Sequence, residues 1–158
     1  MRLIAAVAAD WGIGYRGDLL FDLPGDKRHF KELTWNQTVV LGRATLDSLP
    51  GGRPLPGRTN LVLTRNRDFR RDGVTVLHSL DELPESGDFW VMGGAEVYAA
   101  LLPRCAEAEI TCVQATRPAD RFLENLDENP DWTLESESEP VEENGLRYTF
   151  RRYRRMDN

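Results

Sequence analysis

The sequence predicts an α/β fold: one domain with a mostly parallel central sheet of about eight strands, about four flanking helices and a C-terminal antiparallel hairpin. Three observations predict it. Short continuous apolar runs, of the kind covered on both faces of a sheet, recur between Leu3 and Val91. Segments with helix-start signals or helical spacing separate them. Near the end the pattern changes, and Leu146-Arg147-Tyr148-Thr149-Phe150-Arg151-Arg152-Tyr153 alternates as an antiparallel strand does. A chain of 158 residues is long enough to bury one core, and no internal repeat or linker divides it.

The first strand is expected over Leu3 to Ala8. A loop from Asp10 to Asp18 follows, with Gly12, Gly14 and Gly17 able to bring backbone close to a ligand. Pro24 suits the first position of a helix reaching about Trp35, because its missing N–H is not needed there. Thr38 to Leu41 is a second strand that runs into a short helix over Gly42 to Leu49. Pro50 to Arg58, rich in Pro and Gly, is expected to be irregular. Asn60–Thr64, Val74–Leu77 and Asp88–Met92 supply three more strands, with a helical turn near Leu80 to Leu83 and a helix from Ala95 to Leu102. Glu109 to Ala115 alternates enough to read as half-exposed. The acidic stretch from Asp120 to Glu143 reads as surface, with a strand around Trp132 to Ser136.

Composition narrows the function classes. The net charge is −6, which disfavours general nucleic-acid binding, so anionic ligands must be caught by local cations. No apolar run approaches membrane-spanning length, and the N-terminal stretch is interrupted too soon for a signal peptide. Cys105 and Cys112 form neither a Cys-x-x-Cys pair nor a Cys/His cluster, so no metal site is expected, and a reducing cytoplasm is the default. His29 and His78 stand near no plausible nucleophile.

Asp26, Phe30 and Leu33 share one helix face, which sets a carboxylate beside an aromatic ring on the side that points inward. A buried, unpaired carboxylate is costly. Asp26 is therefore either a first-turn acid favoured by the helix dipole or a group that awaits a polar partner from outside the chain. Three strands end in residues suited to phosphate or ribose: Leu41 before Gly42-Arg43, Leu63 before Thr64-Arg65, and Met92 before Gly93-Gly94. Together they suggest a dinucleotide, NADPH over NADH because Arg replaces a ribose-binding acid. No Gly-x-Gly-x-x-Gly opens a helix after a strand, so the usual fingerprint is missing. Taken singly, the glycines are equally tight turns, the arginines surface charges, and Thr111 an ordinary strand residue.

In order and spacing, these residues resemble dihydrofolate reductase of the bacterial type. The resemblance rests on Ile4-Ala5-Ala6, Gly12-Ile13-Gly14, Leu23-Pro24-Gly25-Asp26, Phe30-Lys31, Val40 to Thr45, Gly52 to Asn60, Met92 to Tyr98, and Thr111. It implies NADPH-dependent reduction of 7,8-dihydrofolate to tetrahydrofolate, feeding one-carbon and thymidylate metabolism, by a cytoplasmic monomer that also binds antifolate-type inhibitors. Asp26 would be the catalytic carboxylate, bonding the pterin 2-amino group and N3. Substrate contacts would fall to Ile4, Ala6, Leu20, Lys27, Phe30, Leu49, Arg53, Leu55, Arg58, Met92, Tyr98 and Thr111, with Arg58 receiving the substrate's α-carboxylate. Cofactor contacts would fall to Ala6, Ile13, Gly14, Gly17, Asp18, Leu19, Gly42, Arg43, Ala44, Thr45, Leu63, Thr64, Arg65 and His78, then Met92 through Tyr98 (Gly93, Gly94, Ala95, Glu96, Val97). The Gly93–Gly94 bond would be cis, and Asp120 would steady the Gly-rich loop.

The chain departs from the family pattern at three places. Leu20-Phe21 replaces a common Pro-Trp, Leu19 stands where Met is common, and Asp120-Arg121-Phe122-Leu123-Glu124 replaces an acid-Thr-Phe-Phe-Pro block. Two other readings remain at this stage: a reductase of the same fold acting on a different heterocycle, such as the pyrimidine step of riboflavin synthesis, and an inactive nucleotide-binding module.

Overall fold

The computed structural model describes residues 1–84 and 87–156. Among these, the chain runs β1 (Arg2–Val7), β2 (Gly12–Tyr15), β3 (Asp18–Leu19), α1 (Pro24–Thr34), β4 (Thr38–Gly42), α2 (Arg43–Ser48), β5 (Thr59–Leu63), β6 (Val74–Leu77), β7 (Phe89–Val91), α3 (Ala95–Leu101), β8 (Glu107–Val113), β9 (Arg121–Phe122), β10 (Trp132–Glu137), β11 (Val141–Glu143) and β12 (Leu146–Arg155). The expected turn near Leu80 is a 3₁₀ turn over Leu80–Glu82.

The main sheet has the order β10-β12-β8-β1-β7-β4-β5-β6, and β11 also pairs with β12. Every pair from β8 to β6 is parallel, whereas β12 lies antiparallel to β8, β10 and β11. The chain leaves β1, winds outward through β4, β5 and β6, and returns through β7 to finish beyond β1. The strand order therefore reverses around β1 and β7, where an open sheet exposes a crevice at its carboxyl edge.

Alternation along the strands sorts the core into two faces. Leu3, Ala5 and Val7 pack in one cluster with Val40, Leu61, Val91 and the α3 residues Tyr98 and Leu101. Ile4 packs in the other with Val39, Leu41, Val62, Trp90 and Leu46 of α2, bordered by Phe30 and Leu33 of α1. The helices α1 and α2 thus cover one face and α3 the other.

The structure corrects the sequence reading in three places. The Gly-rich stretch is no open loop: β2 and β3 form a hairpin, with Arg16 (φ 50°) and Gly17 (φ 85°) at its tight turn, and β9 pairs on β2. Pro50–Gly52 is a tight irregular turn, as its Pro and Gly content predicts, with Gly51 (φ 66°) and Gly52 (φ 62°) left-handed. The strand ending at Val113 is largely buried rather than half-exposed, because it lies between β1 and β12; its buried polar residues are paired, Glu109 accepting from Arg152 Nε at 2.6 Å. The acidic stretch holds β9 and β11 besides β10, and Asn144 (φ 53°) and Gly145 (φ 75°) turn β11 into β12.

Candidate active site

The carboxylate that sequence spacing singles out sits in the first turn of α1, over the sheet face that carries Ile4 and Ala6. Thr111 of β8 is in register with Ala6 on one side and Phe150 on the other, and its hydroxyl donates to Asp26 Oδ1 at 2.6 Å. The chain itself therefore supplies one polar partner, and among the described residues no protein donor reaches Oδ2. Burial raises the pKa of Asp26 above its ordinary 3.8; the Thr111 bond and nearby His29 oppose that rise, and Glu143 adds to it. Phe30, Leu49, Leu55 and Met92 are half-buried around the same face. Tyr98 lies below it, buried, with its hydroxyl donating to the carbonyl of Ile4 at 2.7 Å. Burial pushes that phenol well above its usual pKa, so it stays a neutral donor.

Arg58 follows Leu-Pro-Gly at the far end of this face. Its Nη1 donates to Thr34 Oγ1 at 3.2 Å, and its guanidinium lies 5.3 Å from the Trp35 ring. The Nε is buried with no partner among the described residues. Burial also lowers the guanidinium's pKa below its ordinary value. Asn60 shapes the segment leading to it: its side chain accepts from Leu55 N–H and donates to the carbonyls of Leu55 and Arg58, each at 3.0 Å. Lys27 and Arg53 are not drawn into this cluster. Lys27 Nζ is 2.6 Å from Asp22 Oδ1 on the outer side of α1, and Arg53 is exposed.

At the carboxyl edge, two strand–helix junctions meet. Gly42 N–H donates to Gly93 O at 2.8 Å, the Gly93–Gly94 peptide is cis, and Gly93 has φ 115°. A Cβ on Gly42 would stand 3.2 Å from Val97 Cγ2, and one on Gly94 would stand 3.3 Å from Thr45 Oγ1. Side chains at these positions would crowd the junction, so the glycines keep its backbone approachable. Neither α2 nor α3 has a side-chain N-cap. Around this edge, Arg43 stacks 4.7 Å from Phe69 and pairs with Asp47 at 3.6 Å. Arg65 is exposed beside Thr64, whose carbonyl lies 3.0 Å from His78 Nδ1. Leu63 is half-buried on the α3 face, while Ala44 and Glu96 are exposed and Ala95 half-buried.

The β2–β3 hairpin closes over the same edge. Ile13 packs on the core, Gly14 O accepts from Asp120 N–H at 2.9 Å, and Asp120 Oδ2 accepts from Arg16 N–H at 3.0 Å. Asp18 and Leu19 are exposed, whereas Leu20 is buried. Arg117, which the sequence did not single out, donates from Nη1 to Leu20 O at 2.6 Å and lies over Phe21 at 4.8 Å. It ties down the segment where the chain departs from the family pattern. Glu143 was missed too. The Asn144-Gly145 pair was the signal that a hairpin would carry it back toward α1.

Comparison with known proteins agrees with this geometry. The family model described as dihydrofolate reductase matches residues 1–155. The dihydrofolate reductase of Mycobacterium tuberculosis is 43% identical over 97% of this chain and 96% of its own length. That of Mycobacterium leprae is 38% identical over the same shares. A solved dihydrofolate reductase from Enterococcus faecalis, complexed with NADP(H) and RAB-propyl, superposes with a TM-score of 0.88 at 34% identity, covering 99% of this chain and 96% of that one.

Proposed function

The chain belongs to the dihydrofolate reductase family, and from that premise we infer how its own residues divide the work. The reaction is the NADPH-dependent reduction of 7,8-dihydrofolate to tetrahydrofolate. Bound NADPH supplies the hydride that C6 of the substrate receives, and N5 gains a proton.

Asp26 holds the pterin. Its Oδ1 is occupied by Thr111, and its position over Ile4 and Ala6 gives a flat heterocycle with adjacent N–H donors a charged acceptor to bond. This Thr111-bound, half-buried carboxylate is the observation that carries the reading. The proton for N5 comes through water while Asp26 fixes and polarises the ring. Phe30, Leu49 and Leu55 give the pterin and aminobenzoyl groups apolar walls. Arg58, pre-set by Thr34 and Trp35, keeps a forked donor for the α-carboxylate. The glycine junction fits a pyrophosphate-bearing cofactor, because Gly42, Gly93 and Gly94 leave backbone where a Cβ would intrude. Arg43 and Arg65 would hold its further phosphate.

We infer further that residues 1–158 make one domain working as a cytoplasmic monomer, with antifolates competing for the Asp26 face and neither nucleic acid nor membrane as partner. The test is NADPH oxidation by the purified protein. Rapid oxidation with dihydrofolate, blocked by an antifolate and absent with the riboflavin-pathway pyrimidine, is the expected result. Turnover of the pyrimidine instead, or cofactor binding with no turnover, would overturn the reading.

A further inference from the structure

The first turn of α1 carries Asp26, yet the helix has no side-chain cap of its own: the N-cap residue is Leu23. A helix start leaves backbone N–H groups without partners, and a buried one left bare is costly. Here the Gly25 N–H is satisfied from the other end of the chain. It donates to both carboxylate oxygens of Glu143, at 3.0 and 3.2 Å. Tyr148, fully buried on β12, donates its hydroxyl to Glu143 Oε1 at 3.2 Å and so fixes the carboxylate.

Three features make this contact a built one. Glu143 ends β11, opposite Leu146, and the tight Asn144–Gly145 turn leaves its position little freedom. A Cβ on Gly25 would stand 2.6 Å from Tyr148 Oη and 3.3 Å from each Glu143 oxygen, so the hairpin closes only on a residue without a side chain. The chain after Gly25 is Asp26 itself.

We propose that Glu143 is a positioning residue for Asp26, clamping the first turn of α1 to the C-terminal hairpin so that Asp26 faces Thr111 and the pterin. The proposal rests on the reading of Asp26 as the pterin-binding carboxylate. Glu143 also acts through its charge, as a second anion beside Asp26 that strengthens the hold of Asp26 on its proton. The other groups facing Asp26 do not supply that effect. On α1, Lys27 is paired with Asp22, Arg28 is exposed, and His29, stacked on Phe150 at 3.9 Å, favours the ionised form. Thr111 of β8 donates to the carboxylate, Tyr98 of α3 is bonded to Ile4 O, and Tyr148 of β12 is bonded to Glu143.

The experiment compares Glu143→Gln, Glu143→Ala and Tyr148→Phe with the parent. The readouts are NMR titration of the Asp26 carboxyl in the ligand-free protein, and kcat, KM and NADPH affinity with dihydrofolate. Glu143→Gln keeps an acceptor for Gly25 and removes the charge, so Asp26 should titrate about half a pH unit lower, the size of one screened charge. Glu143→Ala also loses the cap, and kcat/KM should fall about tenfold with NADPH affinity unchanged. Tyr148→Phe should leave the titration within about a tenth of a unit of the parent. An Asp26 titration unmoved by Glu143→Gln, or an unchanged kcat/KM in Glu143→Ala, overturns the proposal. If Glu143→Ala fails to fold, Gly25→Ala takes its place, because its Cβ would stand 2.6 Å from Tyr148 Oη and push the hairpin off α1: kcat/KM should again fall about tenfold, and an unchanged value overturns the clamp. A parent that binds NADPH and does not reduce dihydrofolate would sink the functional reading instead, while the titration would still report whether the Glu143 charge acts on Asp26.

Discussion

Asp26→Asn separates the catalytic from the structural consequences of one carboxylate. The substitution keeps the shape and leaves an oxygen to accept from Thr111, which donates to Oδ1 at 2.6 Å in the parent. It removes the charge and sets an amide NH₂ where a pterin held at this carboxylate would present its own N–H donors. A hydrogen bond to a charged group contributes about 1.5–3 kcal/mol, so losing two predicts a loss of about 3–6 kcal/mol. That corresponds to a fall in kcat/KM of roughly 10²- to 10⁴-fold at pH 7. The gap should narrow at acid pH, where the parent also loses its carboxylate. Stability should move the other way. Burial raises the pKa of Asp26 above 3.8, so its protonation favours the fold below that pH, and this contribution is lost as pH rises through the raised value. At neutral pH the buried charge is therefore a cost, and the Asn variant should show a higher Tm than the parent. The assays are kcat/KM against pH and thermal unfolding at pH 7. A variant within about threefold of the parent's kcat/KM, or one with a lower Tm, would refute the reasoning.

The other predictions concern the two ends proposed to bind anions. Arg58→Leu should raise KM for dihydrofolate about 10- to 100-fold and change kcat little, because it removes a charged contact remote from the reacting atoms. Lys at the same position should not restore it, since the fork held by Thr34 is lost; an unchanged KM in the Leu variant would exclude Arg58. Arg65→Ala should lower the preference for NADPH over NADH about tenfold or more, and steady-state kinetics with both cofactors would show it. An unaltered ratio would remove Arg65 from the phosphate site.

Much of this was legible in the chain because its signals are local. Apolar runs such as Val39-Val40-Leu41 need cover on both faces wherever they go, and Pro24 and Asp26 mark a helix start whatever follows. Gly42, Gly93 and Gly94 announced close backbone approach without saying to what; only the Gly42–Gly93 bond at 2.8 Å shows that they approach one another. The strand at Thr111 departs from its half-exposed pattern, because alternation of polar and apolar residues normally means water on one face. Glu109 and Thr111 instead find Arg152 and Asp26 as partners. The hairpin over Gly12–Leu19 looks like loop in sequence because it carries too few apolar residues to signal a strand, and its pairing with β9 spans about a hundred residues of sequence.

By itself, the sequence determined the strand–helix alternation and the family, and it singled out the groups proposed to meet the substrate, since each is written in residue type and short-range spacing. Tertiary structure alone decided what those groups are bonded to. Asp26 is set by Thr111 and, through Gly25, by Glu143; Arg58 is aimed by Thr34 and Asn60; Leu20 is held by Arg117. Several of these partners lie 85 or more residues away along the chain. Contacts so distant in sequence leave no periodic trace, and they exist only once the sheet has brought its strands into register.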